Sequence, residues 1–165
     1  MKKLLLIAVL SGMLFINVKA QDVYNEILKT SLQVAENEKN DIETRKIATF
    51  KFDALNYMKQ KVIPEVLKDT TDLKTMNKVI NQLNQQSYAM YQFINHFCER
   101  IAGASKKKDK EIVMALFTNA SLNNPMFNDT DKDLVLAYYN NENYITRFSL
   151  DTDWEKALQQ VKKNK

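Results

Sequence analysis

The sequence predicts an all-α fold: an irregular bundle of five to six helices around one long central helix, at about 73–102. Three observations carry that prediction. Between residues 21 and 165 the only glycine is Gly103 and the only prolines are Pro64 and Pro125, whereas sheet proteins of this size need several tight turns rich in glycine. Apolar residues recur at spacings of three and four, the period of a helix face. The runs between polar breaks are long, up to thirty residues without glycine or proline.

The first twenty residues stand apart. Met1-Lys2-Lys3 is a short positive start, and Leu4 to Leu10 and Met13 to Ile16 are apolar runs. Val18-Lys19-Ala20 places short side chains three and one residues before Gln21. This is the three-part pattern of a secretory signal peptide, with cleavage expected between Ala20 and Gln21. The apolar stretch is short for a membrane span, which takes about 20 residues. The Met-Lys-Lys opening resembles bacterial leaders, so the expected location is periplasmic or extracellular. The 24 basic and 20 acidic residues of the whole chain give +4. Lys2, Lys3 and Lys19 leave with the leader and no acid does, so residues 21–165 carry 21 basic and 20 acidic groups. A near-balanced charge argues against nucleic acid as a partner. The 145 residues that remain fit one domain, which must form its core without internal disulfides because Cys98 is the single cysteine.

Each element has its own signals. A first helix, about 22–37, places Val23, Ile27, Leu28, Ser31, Val34 and Ala35 on one face. Asn40 followed by Glu43 reads as a capping box opening a second helix, about 41–61. There Ile47, Phe50, Ala54, Met58 and Val62 form a stripe that Ala48, Phe52 and Leu55 widen. Pro64 is expected to kink the chain or open a short turn. Asp69-Thr70-Thr71-Asp72 offers N-cap residues. The longest helix then follows, with Met76, Val79, Ile80, Leu83, Ser87, Met90, Ile94, Phe97, Cys98 and Ile101 in register. Thirty residues reach about 45 Å, so a bend is expected near the amide-rich run 81–86. Gly103 marks its stop. A fourth helix, about 107–121, carries Ile112, Val113, Leu116, Phe117 and Ala120. A short fifth begins near Asp131, and a sixth covers about 153–163 with Trp154, Leu158 and Val161. Thr130-Asp131-Lys132-Asp133 and Thr152-Asp153-Trp154-Glu155 both match the T-x-x-[DE] start of a helix.

Chemistry-bearing residues are sparse. Asp129, Asp131 and Asp133 alternate like the start of an EF-hand loop, but Leu134 stands where the turn needs glycine and Asn140 where a bidentate carboxylate is needed. An acid-rich helix start is the better reading, and no metal site is expected. His96 is the single histidine and reads as a surface or part-buried residue. Cys98 shares the stripe of the long helix and reads as a small hydrophobe. Lys106–Lys110 and the terminal lysines read as solvated clusters. No phosphate loop, nucleophile elbow or zinc-protease motif is present in the sequence.

Leu116-Phe117 and Ala120 ahead of Asn124-Pro125 resemble the end of a tetratricopeptide-type helical pair, over about ten residues. That resemblance implies a short α-α solenoid as the alternative architecture. It implies no partner-binding residues here.

The expected function is a secreted or periplasmic, non-enzymatic binding or envelope-associated role, with a protein or envelope component as partner and no cofactor. The alternative is a small carbohydrate-binding or hydrolytic protein using acids and aromatics of the C-terminal third. The candidate binding residues there are Tyr138, Tyr139, Tyr144, Asp151, Asp153 and Trp154, since rings stack on sugars and carboxylates grip hydroxyls.

Overall fold

The computed structural model describes residues 23–67, 72–136 and 147–163. The expected leader, residues 1–20, lies outside them. Six helices make up the described chain: α1 (Val23–Glu36), α2 (Ile42–Leu67), α3 (Leu73–Gly103), α4 (Lys107–Leu122), α5 (Lys132–Leu136) and α6 (Trp154–Lys163). No strand occurs among the described residues. No helix among them is long and apolar enough to cross a membrane.

Four helix starts follow one rule that differs in detail from the expected capping boxes, whereas α4 starts after Lys106 with no side-chain cap. Asp41 accepts the Thr44 N–H at 3.0 Å and the Thr44 hydroxyl at 2.8 Å, so it caps α2, while the Asn40 amide instead closes the end of α1 on the Val34 carbonyl. Asp72 caps α3 through the Lys74 N–H and the Thr75 hydroxyl. Asp131 accepts the Leu134 N–H and Asp153 the Lys156 N–H. In each case the cap is an aspartate, whose ionised oxygen bonds an N–H more strongly than a hydroxyl or amide and suits the positive end of the helix dipole. Asn40, Thr130 and Thr152 are therefore not the caps.

One stop also differs. Helix α2 runs through Pro64 to Leu67. A proline that close to the end removes one N–H and leaves only three residues to carry beyond it, so the helix tolerates it. Helix α3 stops at Gly103 as expected, though without positive φ there; the chain turns at Ala104, whose N–H bonds the Arg100 and Ile101 carbonyls. Helix α3 is continuous through the amide-rich run 81–86.

Short connections make α1, α2 and α3 alternate in direction. The Arg45 guanidinium reaches the Ala35 carbonyl at 2.9 Å, and Lys51 reaches Asn95 at 3.4 Å. Helix α3 packs on α1, α2, α4 and α6. A tetratricopeptide-like solenoid joins each helical pair only to the next. The unequal helices and one helix touched by four others make this a bundle, and exclude that alternative.

The core is aromatic. Phe93 meets Phe117, Phe148 and Trp154 edge-on, with ring centres 5.0, 5.4 and 5.4 Å apart. Phe50 and Phe97 complete the cluster against Phe148 at 5.9 and 5.1 Å. Such edge contacts add about 0.5–1.5 kcal/mol each to the burial of the rings.

Candidate functional site

Helix α3 carries one apolar stripe along its whole length: Leu73, Met76, Ile80, Leu83, then Ser87, Met90, Ile94 and Phe97. The alternating spacing of three and four keeps it on a single face. Its burial is not uniform. Exposure is 0–1% at Met90, Ile94 and Phe97, 8% at Leu83, 40% at Ile80, 43% at Met76 and 75% at Leu73.

The cause lies in where the neighbouring helices begin. The Tyr24 N–H, at the start of α1, donates to Asn84 Oδ1 at 2.9 Å. The Trp154 N–H, at the start of α6, donates to Gln86 Oε1 at 2.7 Å, and Gln86 Nε2 returns a bond to the Asp153 carboxylate at 3.1 Å. Two adjacent amides of α3 thus dock the free N–H groups of two other helices, groups that no intrahelical carbonyl can satisfy. Both helices run from there toward the C-terminal end of α3; Lys162, near the end of α6, reaches Gln92. The three turns of α3 before Leu83 project past both starts. Lys74, Asn77, Lys78, Asn81 and Gln82 are exposed around the projecting stripe, giving an apolar strip with a polar rim.

The residues expected to bind a ligand lie elsewhere. Tyr138, Tyr139 and Tyr144 fall outside the described residues. Trp154 is fully buried in the aromatic core, and its indole N–H has no hydrogen-bond partner among the described residues. Asp151 is 3% exposed and accepts three backbone N–H groups, from Met126, Phe127 and Asp129, at 2.8–3.0 Å. Asp153 is part-buried beside Lys156, 2.9 Å away. Burial works to raise its pKa, but the bonds from Lys156 and Gln86 prevail and hold it below the usual value. These side chains tie the segment before α6 to α3 and to the loop after α4. Ser121 and Thr152 extend the same tie through a hydroxyl contact of 2.7 Å, and the Ser149 N–H donates to Ser121.

Asp129 sits on that loop, just after Asn128, which takes φ 51°, a value asparagine tolerates. It binds the Lys61 ammonium, accepts the Asp131 N–H at 3.0 Å, and accepts the Tyr57 hydroxyl at 2.8 Å. Together these bonds hold its carboxyl at about 2, Lys61 contributing most. Tyr57 is pushed up, by burial first and then by the bond to Asp129. Asp129, Asp131 and Asp133 do not converge: Asp131 is spent on the α5 cap, and the described residues contain no group of three His, Cys, Asp or Glu able to hold a metal. Tyr57 and Lys61 were not expected in any network; the contact spans 72 residues of sequence, and no local pattern reports it.

His96 is part-buried, its ring 5.6 Å from that of Phe117 and its Nδ1 3.9 Å from Glu99. Near the C-terminus, Asn124, Lys156, Gln159, Gln160 and Lys163 line a shallow, open depression. Lys106–Lys110 are exposed.

No family model, curated protein or solved structure matches the chain.

Proposed function

We propose that the chain is an exported, non-enzymatic binding protein that seats a macromolecular partner, a protein or envelope component, on the projecting end of α3 through Leu73, Met76 and Ile80. One observation supports this reading above the rest: the stripe that forms the core at Met90 and Phe97 continues without a break into water at Ile80, Met76 and Leu73. An apolar face continuous with a core, rimmed by polar residues, is the usual make-up of a protein-binding surface. Export follows from the leader pattern of residues 1–20, with Gln21 as the mature N-terminus.

The test uses the mature chain carrying a photo-crosslinking residue at position 80, and in a second sample at position 112. Ile112 is an exposed apolar side chain on α4 with 56% exposure, away from the stripe. In its native envelope extract, position 80 should give a discrete crosslinked species and position 112 none. Leu73→Lys together with Met76→Lys should abolish it. Equal crosslinking from both positions, or no loss on placing lysines in the stripe, would refute the proposal.

A further inference from the structure

The projecting end of α3 differs in charge from the other described helices. Between Leu73 and Cys98 the sequence holds two charged side chains, Lys74 and Lys78, and no acid. Both lysines are exposed, and neither has a carboxylate within 4.0 Å among the described residues. Lys46, Lys61, Lys107 and Lys156 each have one. The residues three and four positions from either lysine are threonine, asparagine, glutamine or the other lysine, so the helix offers them no ion pair of its own.

These cations do not serve the helix that carries them. Lys74 stands in the first turn, where the helix dipole disfavours positive charge, and two like charges four residues apart repel. The first turn of each of the other five described helices holds an acid; that of α3 holds none beyond the Asp72 cap before it. Charges set against a helix's own preference point to a use outside the fold. The helix period fixes where they lie. At about 100° per residue, Leu73 and Ile80 are about 20° apart, and Met76 is about 60° to one side of Leu73. Lys74 and Lys78 are about 100° and 140° to the other side. Beyond Met76 the strip is closed by Val79, which packs on the core. Its open edge is the lysine edge.

We infer that the occupant of this strip is an acidic amphipathic helix of another protein, a deeper statement of the docking reading above that rests on it. Leu73, Met76 and Ile80 follow the i, i+3, i+7 spacing by which one helix lies along another. From Leu73 to Ile80 the strip rises about 10 Å, two turns. The partner lays its apolar face there, and carboxylates along one edge meet the Lys74 and Lys78 ammoniums. Docking removes apolar surface from water and supplies both lysines with counter-ions. A second copy of this chain does not fit. Laid against itself, the strip brings lysine to lysine, and the nearest acid, Asp72, is held on its own cap by the Lys74 N–H and the Thr75 hydroxyl. A lipid surface fits less well, since interfacial helices combine aromatic anchors with a polar face rich in cations, and this strip has two lysines and no ring.

The test titrates residues 21–165 against two fluorescently labelled helical peptides of about 20 residues and follows anisotropy. Both peptides carry the same leucine stripe at spacings of three and four; one has glutamates at the flanking positions, the other lysines. The glutamate peptide should bind at least about ten-fold tighter, and its advantage should shrink in high salt. Lys74→Glu together with Lys78→Glu should reverse the preference, and Ile80→Lys should remove binding of both peptides. Equal affinity for the two peptides, lost in Ile80→Lys, would overturn the acidic partner and leave the docking face standing. Binding of neither peptide would overturn it too; the position-80 crosslink then decides whether the docking reading falls with it. Capture by phosphatidylglycerol vesicles that Ile80→Lys removes, without a peptide preference, would overturn it in favour of a lipid surface. Should the double glutamate variant unfold, the wild-type ratio and its salt dependence decide alone.

Discussion

The two ends of α3 are built from the same kind of sequence and have different fates. From Leu83 to Phe97 the stripe is closed over by α1, α6 and the aromatic cluster; from Leu73 to Ile80 the same stripe meets water. The hydrophobic gain is proportional to area removed from water, so a leucine at the covered end stabilises the fold and one at the open end contributes little. What separates them is not residue type but two amides, Asn84 and Gln86, which set where α1 and α6 begin. The comparison teaches that a periodic apolar stripe reports a helix face, while its partner is decided by remote polar contacts.

The largest break in that contrast should come from the covered side. Trp154→Ala should destabilise residues 21–165 by about 3–5 kcal/mol in urea unfolding, the range for removing a buried aromatic ring. Trp154→Phe should cost far less, under about 1.5 kcal/mol, because it keeps most of the ring volume and removes an N–H that has no partner among the described residues.

Next is Asp151. Its replacement by Ala leaves three backbone N–H groups of residues 126, 127 and 129 without their acceptor, and should cost about 3 kcal/mol by the same measurement. Asp151→Asn should recover part of that, since one amide oxygen remains.

A smaller effect sits in acid. Asp129 is held at about 2 when folded, below the ordinary unfolded value near 3.9. In that window the unfolded chain binds more protons than the native one, so stability rises with pH. The contribution is complete above about pH 4 and is lost as pH falls toward 2. Unfolding midpoints between pH 2.5 and 5 should show this slope, and Asp129→Asn should flatten it.

The least effect on stability belongs to the open end. Ile80→Ala and Met76→Ala should each shift stability by less than about 1 kcal/mol, since much of each side chain is already in water. Ile94→Ala, one stripe position within the closed core, should cost about 2–5 kcal/mol.

How far these contrasts could be read in advance depended on the range of the interaction. The helices, their order and the α3 stripe were legible, because period and punctuation are local properties. The aspartate caps were half legible: Asp72 stood among the expected N-caps, but Asp41, Asp131 and Asp153 each lay one residue after the expected cap. The run 81–86 read as a place for a bend, whereas Asn84 and Gln86 there are docking points for residues 60 and 68 positions away. Asp151 and Trp154 read as ligand-facing because acids and rings suit that role. Nothing in their neighbours shows that three N–H groups and an aromatic core claim them.

Native-state hydrogen exchange of residues 21–165, resolved along α3, addresses the difference between its two ends most directly. Amides at 87–101 should exchange only through global unfolding, and those at 77–82 through much cheaper local opening. Protection that is uniform from residue 77 to residue 101 would contradict the open end and the binding surface drawn on it.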